Sequence, residues 1–234
     1  MSDNLERFLA NARGTAATAK ILSLDELRAR QGAEHSDAAW GLAALRGRLV
    51  ELSARGATAT LSAAIEIVVE AQTQAEPVAW FTLANGSFYP PDVAENGIDL
   101  AALVVVRASD STALARAAER CLRSGAFGLV VLDLGSRGDL SMQIQGRLVT
   151  LAQTHDAAVV CLTDKTEETA SIGSLVSLRA EALRVHAPRP ASTSLGPDAL
   201  RDPPFQVGVR VLKDKRRGPG FTQTLKRRGP AGLI

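Results

Sequence analysis

The sequence predicts an α/β domain built on a mainly parallel sheet, with helices on both faces and antiparallel strands toward the C-terminus. Three observations carry that expectation. Short apolar runs alternate with amphipathic stretches from Arg48 to Asp164, and strands separated by crossover helices lie parallel. Beyond Ala180 the helical stretches stop and only strand-like runs remain. A chain of 234 residues, 46% hydrophobic and 22% charged, can bury one good core.

The elements follow in order. Ser2 is placed to cap a short helix carrying Leu5, Phe8 and Leu9, and Ser23 a second that includes Leu27. The polar stretch "RQGAEHSDAAW" reads as a linker, so residues 1–38 form a helical segment and linker, 39–228 the core and 229–234 a tail. In the core, "RLVELS" reads as strand, Leu61–Ala71 as helix, "PVAWFTLA" as strand and Asp92–Asn96 as a short helix. "LVVVRA" is apolar without a break, the pattern of a strand buried on both faces. Asp110 or Ser109 starts the next helix, Leu114, Ala117, Ala118, Cys121 and Leu122 form its buried stripe, and Gly125 ends it. "FGLVVLD" and "AAVVCLTD" read as strands, with a helix holding Ile144, Leu148 and Leu151 between them. "AEALRVHA", "FQVGVRVLK" and "FTQTLK" read as antiparallel strands, the first two separated by a Pro/Ser/Gly loop over Pro188–Pro204.

Composition narrows the function classes. No apolar run reaches the roughly 18 residues of a membrane span, and the N-terminus carries acids without an apolar signal region, so the expected compartment is the cytoplasm. Cys121 and Cys161 sit in apolar patterns, as small core residues do. His35, His155 and His186 lack metal-ligand spacing, so no metal or cofactor is expected, and His155 suits a helix end. Trp80 lies in a strand pattern that buries it, whereas Trp40 is open to a core or an interface role. Phe88 and Tyr89, beside Pro90 and Pro91, shape the entry to the short helix. The net charge of +2 hides a basic C-terminal stretch, Arg210 to Arg228, in which eight cations face only Asp214.

The order of the pieces has a family resemblance covering about Gly47 to Leu225. "GRLVELSARGATATL" resembles the first strand and phosphate loop of RecA recombinases. "AWFTLANGSFYPPDVAENGIDLAALVVVR" resembles the following strand, helix and strand, and "GAFGLVVLDL" the Walker B strand. "SLVSLRAEALRVH" and "VRVLKDKRRGP" resemble later elements. The resemblance implies a RecA-like core of the P-loop type.

The departures from that family bear on activity. A working loop reads G-x-x-x-x-G-K-[ST], where glycines let N–H groups wrap the phosphates, Lys offsets their charge and the hydroxyl holds Mg²⁺. Here Ser53–Ser62 reads "SARGATATLS", with Gly56 and no Lys. Arg55, Gly56, Thr58, Thr60 and the Walker B residue Asp133 are therefore expected to form a degenerate nucleotide site, with Arg55 in the space of the phosphates. The neighbourhood where the family keeps a catalytic Glu is Ala84, Asn85 and Gly86, and the family's sensing Gln falls at Thr163 or Asp164. The second DNA-binding loop is cut to "DKTEETAS", three acids against one Lys. Neither ATP hydrolysis nor a RecA-like grip on single-stranded DNA is expected.

A scaffold without an engine implies a protein-interaction role. The pattern is most similar to the ImuA family, RecA-like accessories of the bacterial mutagenic machinery. That resemblance implies as partners RecA, an ImuB-like Y-family polymerase homologue and, through it, an error-prone C-family polymerase. The RecA resemblance, through the way subunits of that family's filaments join, places a partner's extended segment along Leu103, Val104, Val105, Val106 and Arg107, with a pocket at Ala113, Leu114 and Ala117. It makes Lys213 and Lys215 candidates for a RecA interface, with Arg216, Arg217, Lys226, Arg227 and Arg228 serving DNA or an acidic surface. The alternatives are a SulA-type division inhibitor, a basic-tailed DNA-binding protein and a weak nucleotide-binding regulator.

Overall fold

The computed structural model describes residues 40–53, 59–86, 88–136, 138–185, 205–218, 220 and 222–227, all within the compact unit Ala38–Ile234. The expected N-terminal helices, the linker, the loop over Pro188–Pro204, His186 and the tail lie outside these residues.

Eight strands form one sheet: β1 (Arg48–Ser53), β2 (Val78–Leu83), β3 (Leu103–Ala108), β4 (Leu129–Gly135), β5 (Ala158–Thr163), β6 (Leu178–Val185), β7 (Phe205–Asp214) and β8 (Thr222–Arg227). Their spatial order is β3-β2-β4-β5-β1-β6-β7-β8. β1 pairs parallel with β5 and β6, β4 with β2 and β5, and β2 with β3, while β7 and β8 are added antiparallel. The helices are α1 (Leu42–Leu45), α2 (Thr60–Thr73), α3 (Pro90–Ala94), α4 (Ser111–Arg123) and α5 (Met142–Thr154).

Alternation along the central strands splits the core in two, because successive side chains point to opposite faces. Val50, Leu52, Trp80, Val131 and Val160 pack with α1, α2 and α3. Leu49, Phe81, Leu132, Val159 and Cys161 pack with α4 and α5. Both faces of β1 and β5 are covered, so every residue in them is buried. Local signals set the helix ends. Asp110 accepts the Ala113 amide at 2.8 Å at the start of α4. Gly125, just past its end, has φ +69, and a Cβ there would stand 2.8 Å from His155 Nδ1. His155 itself caps the end of α5.

Several expectations need correction. The unbroken apolar run of β3 suggests cover on both faces, yet in this edge strand only Leu103 is buried and Val104 is 45% exposed. An apolar run reports affinity for a sheet, not how fully its faces are covered. In α4 the buried residues are Leu114, Ala115, Ala118 and Leu122, so Ala117 and Cys121 lie at the margin. In α5 Gln145 and Ala152 are buried with Ile144 and Leu148, while Leu151 is marginal. The short helix expected near Asp92–Asn96 starts earlier, at Pro90, because proline fits the first helical turn. The strand expected at "AEALRVHA" begins at Leu178 and runs parallel to β1, with Val50 level with Leu178. The chain returns to it through residues 164–177 without a helix, so no helical period announces a crossover. Trp40 and Trp80 are both core residues, and Trp80 stacks on Phe88 with ring centroids 4.4 Å apart.

Candidate functional site

In open α/β sheets, ligands bind beyond the carboxyl ends of the strands. Here the carboxyl ends of β2, β4 and β5 border a cavity of about 570 Å³. Leu61, Leu83, Leu134 and Leu162 supply its apolar lining, and Thr60, Asn85, Ser136, Thr163, Asp133 and Asp164 its polar groups. Among the described residues that line it there is no Lys, Arg or His.

Asp133 stands in the bend at the end of β4, where the register with β5 shifts between Asp133 and Gly135. Its carboxylate accepts the Thr82 hydroxyl at 3.0 Å. Burial pushes the Asp133 carboxyl above its ordinary range, and the charge of Asp164 adds to that rise against the hydrogen bond from Thr82. A polyphosphate placed here would meet two carboxylates without an offsetting cation from the described lining. Thr60 opens α2 and lines the cavity, but Arg55, Gly56 and Thr58 lie outside the described residues. A catalytic Glu also has no room at Gly86, where a Cβ would stand 2.2 Å from Thr82 Oγ1 and 3.0 Å from the Leu83 carbonyl oxygen.

The segment after β5 is strapped to the sheet. Glu51, fully buried in the middle of β1, accepts the Thr163 hydroxyl at 3.1 Å, the Ser171 hydroxyl at 2.5 Å and the Ile172 amide at 3.1 Å. Arg179 donates to the carbonyls of Thr169 at 2.6 Å and Thr166 at 2.7 Å. Arg210 bridges Glu167 at 2.5 Å and Glu181 at 2.7 Å. Sequence reasoning missed Glu51, Arg179 and Gln145. The signal was there for Glu51: a charged residue inside an apolar strand is seldom buried without partners.

Lys213, Lys215, Arg216 and Arg217 fall at the opposite, amino end of the parallel strands, whereas Lys226 and Arg227, level with Gln206 and Phe205, fall at the carboxyl end. Asp214 is level with Leu178 at the start of β6, and its side chain forms a buried ion pair with Arg48 at 2.5 Å. Burial alone would raise the Asp214 carboxyl, but the Arg48 guanidinium and the Arg216 amide outweigh it and hold the group below its ordinary range. Lys215 donates to the Ser174 carbonyl at 2.5 Å, and Arg216 reaches the carbonyls of Arg46 and Gly47 at 3.5 and 3.3 Å. Lys215, Arg216 and Arg217 are exposed in the turn after β7, while Lys213 is half-buried. The backbone of Lys226 and Arg227 runs in β8, and Arg228 lies outside the described residues.

The third group of candidates lies at the β3 edge. Val104 and Arg107 are exposed and Val105 and Val106 half-buried, with Arg107 donating to the Phe88 carbonyl at 3.0 Å. Leu103 and Leu114 face the core and are 8% and 0% exposed, while Ala113 and Ala117 of α4 are half-buried. Among the described residues, no cluster of three or more His, Cys, Asp or Glu could hold a metal, and no helix is long and apolar enough to cross a membrane.

Comparison with known proteins relates this core to RecA. The chain is 28% identical over 150 residues to the RecA protein of Picosynechococcus sp. (strain ATCC 27264 / PCC 7002 / PR-6), a match covering 59% of this chain and 41% of that protein. It is 29% identical over 167 residues to the RecA protein of Nocardioides sp. (strain ATCC BAA-499 / JS614), covering 63% and 47%. The chain thus spans less than half the length of the curated relatives it matches. No family model matches the sequence. The mostly parallel sheet with its antiparallel C-terminal strands is a RecA-like α/β core.

Proposed function

We propose that this chain is a non-catalytic RecA-like accessory protein in DNA-damage-induced mutagenesis, similar to the ImuA family. The observation that carries this reading is the cavity at the carboxyl ends of the strands. Asp133 and Asp164 line it, no cation joins them from the described lining, and the Ser53–Ser62 stretch contains no Lys. Such a site neither grips ATP nor turns it over, so the protein acts through its surfaces. An ImuB-like Y-family polymerase homologue is the proposed principal partner, linking the chain to an error-prone C-family polymerase. RecA is the second, and DNA makes at most a weak contact with the basic C-terminal residues.

The proposed docking surface for the polymerase homologue is the β3 edge. Among the described residues no further strand pairs with its outer side, whose N–H and C=O groups can accept an added strand. Val104, Val105, Val106 and Arg107 make up that strand, and the small, half-buried Ala113 and Ala117 of α4 are the proposed seat for one apolar side chain of the partner. Lys213, Lys215, Arg216 and Arg217, at the other end of the sheet, are the proposed RecA-facing group. The test is binding of the purified polymerase homologue to Ala117→Arg. A long cation at that margin abolishes binding while the core melts normally. Undiminished binding by a well-folded Ala117→Arg protein contradicts the surface assignment.

A further inference from the structure

Two connections leave the carboxyl end of the sheet: residues 136–141, between β4 and α5, and residues 164–177, between β5 and β6. They start side by side at the cavity, where the Asp164 amide donates to the Gly135 carbonyl at 3.3 Å. They meet again at their far ends on one buried side chain. Gln145 Nε2 donates to the Leu140 carbonyl at 2.6 Å and to the Ile172 carbonyl at 3.0 Å. The same Ile172 residue is held on its other side, its amide donating to the buried Glu51. Leu140 and Ile172 are both buried, 2% and 4% exposed, in the same apolar cluster. Gly173 is what lets Gln145 approach, since a Cβ there would stand 2.1 Å from Gln145 Oε1.

From this double junction we infer that the two connections form one latched unit, fastened by Gln145 and Glu51, that opens and closes as a whole. Neither connection can lift alone without leaving a buried amide or a buried carboxylate short of partners, and that penalty couples them. The unit joins the cavity wall at Gly135, Ser136 and Asp164 to the exposed turn at 167–170. An event at either place therefore shifts the population of the same opening, which makes the latch a conformational link between cavity and surface. The inference is independent of the partner assignments above.

Residue-resolved amide hydrogen exchange tests it. The reporters are the Ile144 amide, which donates to Ser141 Oγ at 3.4 Å at the close of the first connection, and the Ile172 amide in the second. In the unaltered protein both exchange through one opening, with the same denaturant dependence. Gln145→Leu keeps the volume and removes both donors, and it speeds both amides by about the same factor, on the order of ten-fold. α2 keeps its protection. If Gln145→Leu does not fold, the denaturant dependence in the unaltered protein decides alone. Different slopes for the two amides, or a rise confined to one of them in the variant, overturn the latch.

Discussion

The two ends of the parallel strands handle charge in opposite ways. At the amino end, Arg48 and Asp214 are almost completely buried, with side chains 1% and 5% exposed, and they satisfy each other at 2.5 Å. Arg48 also donates to Ser177 Oγ and to the Ser177 carbonyl, each at 2.9 Å. At the carboxyl end, Asp133 and Asp164 border an open cavity, and among the described residues Asp133 is met by the neutral Thr82 hydroxyl and the Gly135 backbone amide. The first arrangement is a finished structural joint. The second stands where open α/β sheets bind ligands, with two carboxylates and no cation in its described lining.

The largest expected effect comes from breaking the finished joint. Arg48→Leu leaves the Asp214 carboxylate buried without its partner and costs about 3–5 kcal/mol of stability in denaturant unfolding. An unaffected midpoint would show that the pair is solvated and idle. The same joint sets an acid limit. Because the Asp214 carboxyl is held below its ordinary value, its contribution is fully present above the unfolded-state pKa of about 3.9. That contribution is lost as pH falls through the folded value. Acid unfolding of Asp214→Asn is accordingly shallower than that of the unaltered protein below about pH 4.

The carboxyl end responds in the other direction. The folded Asp133 carboxyl is raised, so its ionisation weighs against the fold as pH rises through its folded value. Asp133→Asn removes that charge, keeps an acceptor for Thr82, and melts at or above the parent temperature at neutral pH. Destabilisation by Asp133→Asn would mean that the carboxylate has a cationic partner.

The smallest effect on the fold is expected at the half-buried Lys213, near the end of β7, and the exposed Lys215 in the turn after it. Lys213→Ala with Lys215→Ala changes stability by no more than about 0.5 kcal/mol. Under the proposed function it weakens binding to RecA assembled with a non-hydrolysable ATP analogue. Unchanged RecA binding would remove the amino end from the interface.

How much of this was legible beforehand follows from which forces leave a mark in sequence. The strands and crossover helices of the central sheet were readable because burial on a strand or helix face imposes a period. The missing Lys of Ser53–Ser62 is plain in the sequence, and the proposed loss of phosphate chemistry rests on it. The edge position of β3 was legible only through the family resemblance, since Leu103–Ala108 by itself has the composition of a central strand. The strap was not legible. Glu51 and Arg179 are level on adjacent strands but 128 positions apart in sequence, and Gln145 looks like any polar helix residue until Ile172 is folded against it.

The most direct measurement of the central claim is a thermal melt with and without millimolar Mg-ATP. A ligand that binds the folded state raises its melting temperature by mass action. A carboxylate-lined cavity with no lysine in its loop predicts superimposable melts. A rise of several degrees, reversed by removing the nucleotide, would contradict the account.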